Sequence, residues 1–309
     1  MSLGLVNPPA TGIKKQTEPR SVNLELVSTR PIEKNNFSVY FPPRTLFCLN
    51  ISMAIFHTVL FATTLVVGNL DLKIPLYMTN ITFVRNQSSA DPPFQLVPSY
   101  SEYSYVYLTI ITALFFVCSA FAHFGNAFLW KSFYERELSK CRVPTRWIEY
   151  FFSASIMIYI IAFNAGIREH LLLWAVTLLI ASTMPFGFLT EVYSNPISND
   201  EWNQPLSLRL TFHLLGYIPQ MSAWILILLN FYSEKPQNPP AFVFGIIWGQ
   251  MVLFFSFGFV QLYQILSPPK YYFKGEIAYQ WLSLLAKGIL GVLLLTNVLV
   301  LSSYDEIFN

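Results

Sequence analysis

Charge is scarce in this chain. Only 12% of its 309 residues are Asp, Glu, Lys or Arg, while 54% are hydrophobic and mean hydropathy is +0.46. A soluble domain carries roughly twice that share of charge, so a soluble globular protein is a poor reading. Cysteine is nearly absent as well. Cys48, Cys118 and Cys141 form an odd set without metal-ligand spacing, which argues against a disulfide framework. The first 45 residues are polar and contain proline, so no cleavable signal peptide is read, and the first apolar run would serve as an uncleaved anchor. There is no HExxH and no internal repeat, and the inverted-repeat signature of secondary transporters is not evident. A net charge of +2 gives no signal of nucleic-acid binding, and none is expected.

What the chain has instead is long apolar runs. Seven reach spanning length, at roughly 46–68, 105–129, 146–166, 169–192, 207–232, 240–266 and 276–303. The expected fold is an all-α membrane protein, a seven-transmembrane helix bundle at 46–303. A tail at 1–45 precedes it, a loop at 69–104 interrupts it, and a short end at 304–309 follows. Seven spans put the termini on opposite sides. Fourteen basic residues fall on the N-terminal side (the tail, the stretch 130–146, Arg209, Lys270 and Lys274), against four on the other: Lys73, Arg85, Arg168 and Lys235. The positive-inside rule then puts the N-terminus in the cytoplasm and the C-terminus outside. The external loop 69–104 is rich in β-branched and aromatic residues, which suggests a small β-hairpin. Asn80 and Asn86 lie there in glycosylation sequons.

The few charges inside the spans are therefore informative. Lys287 stands in WLSLLAKGILGVLLLTNVLVLSS, about 11 residues or roughly 16 Å in from Glu276. An ammonium at the bilayer centre costs ~2.5–3.5 kcal/mol on insertion scales, so it is either a structural ion-paired charge or a functional amine. RWIEYFFSAS opens the third span and sets Glu149 one turn from Arg146, as expected if Arg146 orients an acidic partner. Helical side chains lean toward their N-terminus, so Lys287 reaches back toward Glu149, and the two can pair. His57, His123, Glu191 and His213 also fall in the middle or cytoplasmic half, a pattern suited to a proton-accepting cavity. Each has a plainer reading as a packing or interfacial residue. By depth alone, Ser153, Met157, Met184, Pro219, Gln220, Phe255 and Phe259 are candidates to wall a pocket level with Lys287.

Four stretches, RWIEYFFSASIM at 146–157, PFGFLTEVY at 185–193, LLGYIPQ at 214–220 and LSLLAKG at 282–288, resemble the heliorhodopsins, a seven-helix retinal-binding family. The resemblance covers about 46–303, and the long tail outside it suggests a viral member. It implies that Lys287 binds all-trans retinal as a protonated Schiff base, that Glu149 is the counterion and that Ser283 hydrogen-bonds beside them. It also implies that His57 and His123 border a cytoplasmic cavity, that Glu191 sits at the inner end of the fourth helix, and that the protein is a homodimer. The chemistry agrees, since lysine is the side chain suited to imine formation, and a nearby carboxylate keeps such an imine protonated in a low-dielectric site.

The expected function is a light-activated photoreceptor, a multi-pass protein of the plasma membrane, with proton conductance through Glu149, His123 and Glu191 as the expected output. Arg146 and His213 belong to the same relay, and Glu102, at the outer start of the second span, is the obvious external acid. The alternative output is sensing through a partner without ion transport. An intramembrane zinc hydrolase using His57, His123 and His213 is a remote third reading, because it leaves Lys287 unexplained. A receptor of the animal type conflicts with the charge-derived topology and lacks NPxxY in the last span.

Overall fold

Seven helices long and apolar enough to cross a membrane run through the chain. They are α1 (Pro43–Val67), α2 (Leu108–Leu129, its last turn a π-helix), α4 (Pro144–Asn164), α5 (His170–Tyr193), α6 (Leu206–Ser233), α7 (Ala241–Leu266) and α8 (Tyr272–Asn297, entered by a 3₁₀ turn). A short helix, α3 (Lys131–Leu138), joins α2 to α4. The strands β1 (Lys73–Arg85) and β2 (Phe94–Tyr107) form an antiparallel hairpin between α1 and α2. This computed structural model describes residues 37–85, 94–233 and 239–301. The tail up to residue 36, the sequon at Asn86, Lys235 and the C-terminal end from 302 lie outside the described residues.

The helices begin and end where local chemistry dictates. Pro43 and Pro144 occupy first turns, where a missing N–H costs nothing and a fixed φ favours the helix. Glu169 caps α5 by accepting from the Leu172 amide at 2.5 Å. The π turn at Gly125–Leu129 closes on Trp130, whose amide donates to the Gly125 carbonyl at 2.9 Å. Its indole lies on Gly125 so closely that an added Cβ would fall 1.9 Å from the ring. Gly166, at φ +96°, takes the left-handed turn between α4 and α5.

Two boundaries differ from the sequence expectation. The strand β2 runs to Tyr107, so α2 starts at Leu108 rather than 105. Glu102 therefore lies exposed in the hairpin, paired with Tyr77, and not at a helix mouth. The last helix begins at Tyr272 and ends at Asn297, not 276–303. Its polar first turn looks aqueous in sequence, but Tyr272, Gly275 and Glu276 are buried against neighbouring helices.

The fourth helix is the hub. Every residue from Met157 to Phe163 is buried, the pattern of a helix surrounded on all sides. The outward faces are the reverse, with Ile55, Leu178, Ile218, Val252 and Phe259 exposed, as lipid-facing side chains must be. At the hairpin end, Ile74, Leu76, Val106 and Leu108 join the same apolar core as Ile160, Ile161, Ile246, Leu290 and Leu294. Ile74 and Leu76 share one face of β1 through the two-residue strand period, so the base of the hairpin seals the bundle. It is tied there by the Tyr77 amide, which donates to the Arg168 carbonyl at 2.9 Å. Asn69 knots three helix ends together. Its amide donates to Leu299 O (2.6 Å), its side chain to Leu301 O (2.9 Å), and its carbonyl accepts from Thr109 Oγ1 (2.6 Å).

Candidate functional site

Lys287 lies two-thirds of the way along α8, 3% exposed. Its Nζ donates to Glu149 Oε1 at 2.5 Å and to Ser283 Oγ, one turn back, at 2.9 Å. The same Glu149 oxygen accepts from Ser119 and Ser153, each at 2.6 Å. One carboxylate oxygen thus gathers an ammonium and two hydroxyls from α2, α4 and α8. Removing an ion pair from water is costly unless such further bonds complete it. The Tyr150 ring flanks the ammonium at 5.3 Å.

From this pair a cavity opens between α4, α5, α6, α7 and α8, with about 790 Å³ of atom-free space, its mouth included. Ser153, Met157, Met184, Gln220 and Ser283, all expected from the sequence, line it with Lys287 at one side. The expected Pro219, Phe255 and Phe259 do not. Phe259 is 63% exposed on the lipid face, Phe255 stacks on Tyr217 from outside the wall, and Pro219 is buried within α6. Phe254 and Phe257 line the wall from α7 instead, with Trp147, Tyr150 and Tyr279 opposite. Depth in a span gives the level of a residue but not its azimuth, which is why α7 was misread. Glycines make room for the aromatics: a Cβ on Gly187 would sit 2.1 Å from the Trp147 ring, and one on Gly258 would sit 2.2 Å from the Tyr217 hydroxyl. The result is a narrow aromatic slot with a primary amine at its side.

A second polar centre lies toward the α3 end of the bundle. Arg146, 5% exposed, bonds both Glu191 and Glu276, and its guanidinium covers the Tyr279 ring at 3.9 Å. The expectation that Arg146 orients Glu149 is thereby corrected. Three residues apart on α4, they face different partners, and Arg146 pairs with two carboxylates from α5 and α8. Tyr272 donates to Glu191 at 2.7 Å, the Val143 amide donates to its other oxygen at 2.9 Å, and Tyr134 donates to Glu276 at 3.0 Å. Glu276 escaped the sequence reading because it was taken as the aqueous start of the last span. Its four-residue spacing to Gln280, continuing to Ser283 and Lys287, was the available signal.

His57 and His123 lie together, rings 5.8 Å apart and nearly parallel. His123 Nδ1 pairs with Asn50 Oδ1 at 2.9 Å, while both His57 ring nitrogens and His123 Nε2 are buried without a hydrogen-bond partner. His213 is elsewhere, lining the cavity and paired with Gln261 at 2.9 Å. The three histidines that a zinc site would need are therefore not assembled. Among the described residues, no group of three or more His, Cys, Asp or Glu side chains could hold a metal ion.

Seven apolar helices around a buried lysine–carboxylate pair define an integral, multi-pass membrane protein of the rhodopsin class. The fold is similar to that of the light-driven proton pump LR (Mac) from Leptosphaeria maculans, at 13% sequence identity and a TM-score of 0.53, covering 84% of this chain and 97% of that one. No protein of curated function matches the sequence. The family is clear nonetheless: the heliorhodopsin profile matches residues 46–299, and the chain belongs to that family. Membership implies a retinal chromophore and points to a photoreceptor rather than an enzyme.

Proposed function

We propose that Lys287 carries all-trans retinal as a protonated Schiff base with Glu149 as counterion, and that light drives proton movement between this site and the cytoplasm. The carrying observation is the 2.5 Å contact between a fully buried amine and a fully buried carboxylate beside an aromatic slot. The residues fit the chromophore. The slot is mainly apolar and aromatic, with a few polar side chains such as Gln220 and His213, and Lys287 is the lysine that borders it. Retinal, once bound, supplies visible absorption and a light-driven change of shape. The protein's part is to hold the charge. Ser119, Ser153 and Ser283 fix Glu149 and Lys287 so that the positive end of the pigment stays paired.

The N-terminal side is read as cytoplasmic from the excess of Lys and Arg there, which sets the hairpin outside. In this orientation the buried titratable groups His123, Glu149, Glu191 and Glu276 lie on the cytoplasmic side of Lys287, with His57 about level with it. A light-gated proton conductance uses that half as its inner passage. The second reading, a light sensor without net transport, is favoured by one observation: the external half is filled by Ile160, Ile161, Ile246, Leu290 and Leu294 beneath the hairpin base. A dimer is carried over from the family resemblance, and a plasma-membrane location is part of the same proposal.

The test has two stages. Wild-type protein expressed with all-trans retinal shows a visible band that hydroxylamine bleaches, and Lys287→Ala lacks it. Voltage-clamp recording under light then separates the outputs, with photocurrent expected for conductance and none at any voltage for a pure sensor. A folded wild type without the band sinks the retinal reading.

A further inference from the structure

One face of α8 connects the two polar centres. Glu276, Gln280, Ser283 and Lys287 recur at steps of four, three and four residues, the spacing that puts side chains on one helical stripe, and each is 3% exposed or less. Ser283 is bonded to Lys287, and Glu276 to Arg146. Between them, Gln280 is loosely held: it faces the Glu276 carboxylate, but neither its amide nitrogen nor its oxygen makes a hydrogen bond of good geometry. A buried amide left unpaired is costly, and such groups mark places where a water or a changing partner is part of the design. The aromatic layer of Tyr150 and Tyr279 lies between Lys287 and Arg146, and this stripe is one polar way past it, beside a second through His123, Asn50 and Tyr134.

The Arg146 centre is also unbalanced in charge. One guanidinium serves two carboxylates. Glu191 has three donors, Arg146, the Tyr272 hydroxyl and the Val143 amide, whereas Glu276 has two well-formed ones, Arg146 and the Tyr134 hydroxyl, with the Gln280 amide only loosely facing it. Glu276 is therefore the less fully bonded of the two carboxylates. There is room in the cluster for one proton, and Glu276 is where it is least opposed.

We propose that Glu276 is the proton acceptor for the Lys287–Glu149 site, reached through Gln280, with Arg146 and Glu191 as the fixed charge pair that positions it. The proton released by the Lys287–Glu149 pair forms an O–H bond on the Glu276 carboxylate. The cluster passes from one excess negative charge to neutrality, and Arg146 and Glu191 stay ionised. This rests on the function proposed above. The groups facing Glu276 are Tyr134 from α3, Arg146 from α4, Glu191 from α5, and Tyr272 and Gln280 on its own helix.

Infrared spectroscopy of the full chain in lipid tests it in two ways. In the apoprotein, kept dark, lowering the pH raises a buried carboxylic C=O band. Glu276→Gln abolishes that band and Glu276→Asp shifts its frequency. Glu191→Gln also abolishes it, because one carboxylate facing one guanidinium stays ionised. In the retinal-loaded protein, the light-minus-dark spectrum gains the same band, and Gln280→Leu slows its rise by about tenfold or more. An intact visible pigment that cycles without a Glu276-dependent band overturns the proposal. So does an apoprotein titration that is indifferent to Glu276→Asp and Glu191→Gln, two variants that keep a usable readout if Glu276→Gln does not fold. Absence of any pigment overturns the retinal reading instead, leaving the dark titration to judge Glu276 alone.

Discussion

Replacing Glu149 by Gln changes one atom and removes one charge. Lys287 Nζ is 2.5 Å from the carboxylate oxygen, and at an effective dielectric of about 20 that contact is worth roughly 7 kcal/mol of attraction. Desolvation of both ions offsets much of this. The observable is thus the cost of leaving one charge behind, about 3–5 kcal/mol for a buried pair. Ser119 and Ser153 donate to Glu149 Oε1 and can still donate to a Gln carbonyl, so the loss falls mainly on Lys287. The assay is a double-mutant cycle on retinal-free protein: wild type, Glu149→Gln, Lys287→Met and the pair together, unfolded reversibly by detergent. Each single variant leaves an unpaired charge in a dry site, and the double leaves none. The double variant is expected to recover at least about 3 kcal/mol relative to the sum of the singles, a factor of more than a hundred in the folding equilibrium. A coupling below about 1 kcal/mol, the level of an exposed pair, would refute the claim that this amine and carboxylate are locked together out of water.

Gly187→Ala forces a methyl into the Trp147 ring at the cavity wall and is expected to cost about 1–3 kcal/mol of stability; the midpoint of thermal unfolding and the rate of pigment formation from added retinal should both fall. Glu137, on α3 outside the spans, carries a pH dependence. Burial alone would raise its pKa, but the hydrogen bond from Lys140 and the charges of Arg142 and Lys140 outweigh it and hold the carboxyl below its ordinary value. A lowered folded-state pKa stabilises above the ordinary carboxylate range, and that contribution is lost as pH falls through the folded-state value. Wild type should therefore exceed Glu137→Gln in thermal stability at neutral pH, with the gap closing in acid; a gap that persists at low pH would contradict the assignment.

The spans were legible because apolar length is a one-dimensional property, and the membrane leaves few alternatives for satisfying a backbone. Lys287 and Glu149 were legible for the same reason, as charge stands out against a greasy background. That Lys287 and Glu149 can pair was legible from the shared starting side of their helices and the lean of helical side chains toward the N-terminus. What sequence could not supply was rotation about each helix axis. Arg146 sits three residues from Glu149 yet points to another pair of helices. Phe255 and Phe259 have the depth of the cavity but not its bearing, and Phe254 and Phe257 have both. His213, on α6, faces Gln261 of the neighbouring α7 rather than His57 and His123. Glu276 was hidden by its neighbours: Lys274 and the nearby prolines mimic a loop, and only packing reveals that the turn is inside.

The knot at Asn69 has a mechanical meaning. Through it, the ends of α1, α2 and α8 on the hairpin side are stitched by three hydrogen bonds of 2.6–2.9 Å. Lys287 rides on α8, 12 residues before Leu299 of that stitch, and the opposite end of the helix enters through a 3₁₀ turn at Pro269–Tyr271. A beam clamped at one end transmits a push at its middle to the other. Strain generated around Lys287 would therefore be expressed as motion where Glu276 and Tyr272 meet Arg146, so the same helix would serve as both wire for the proton and lever for the light.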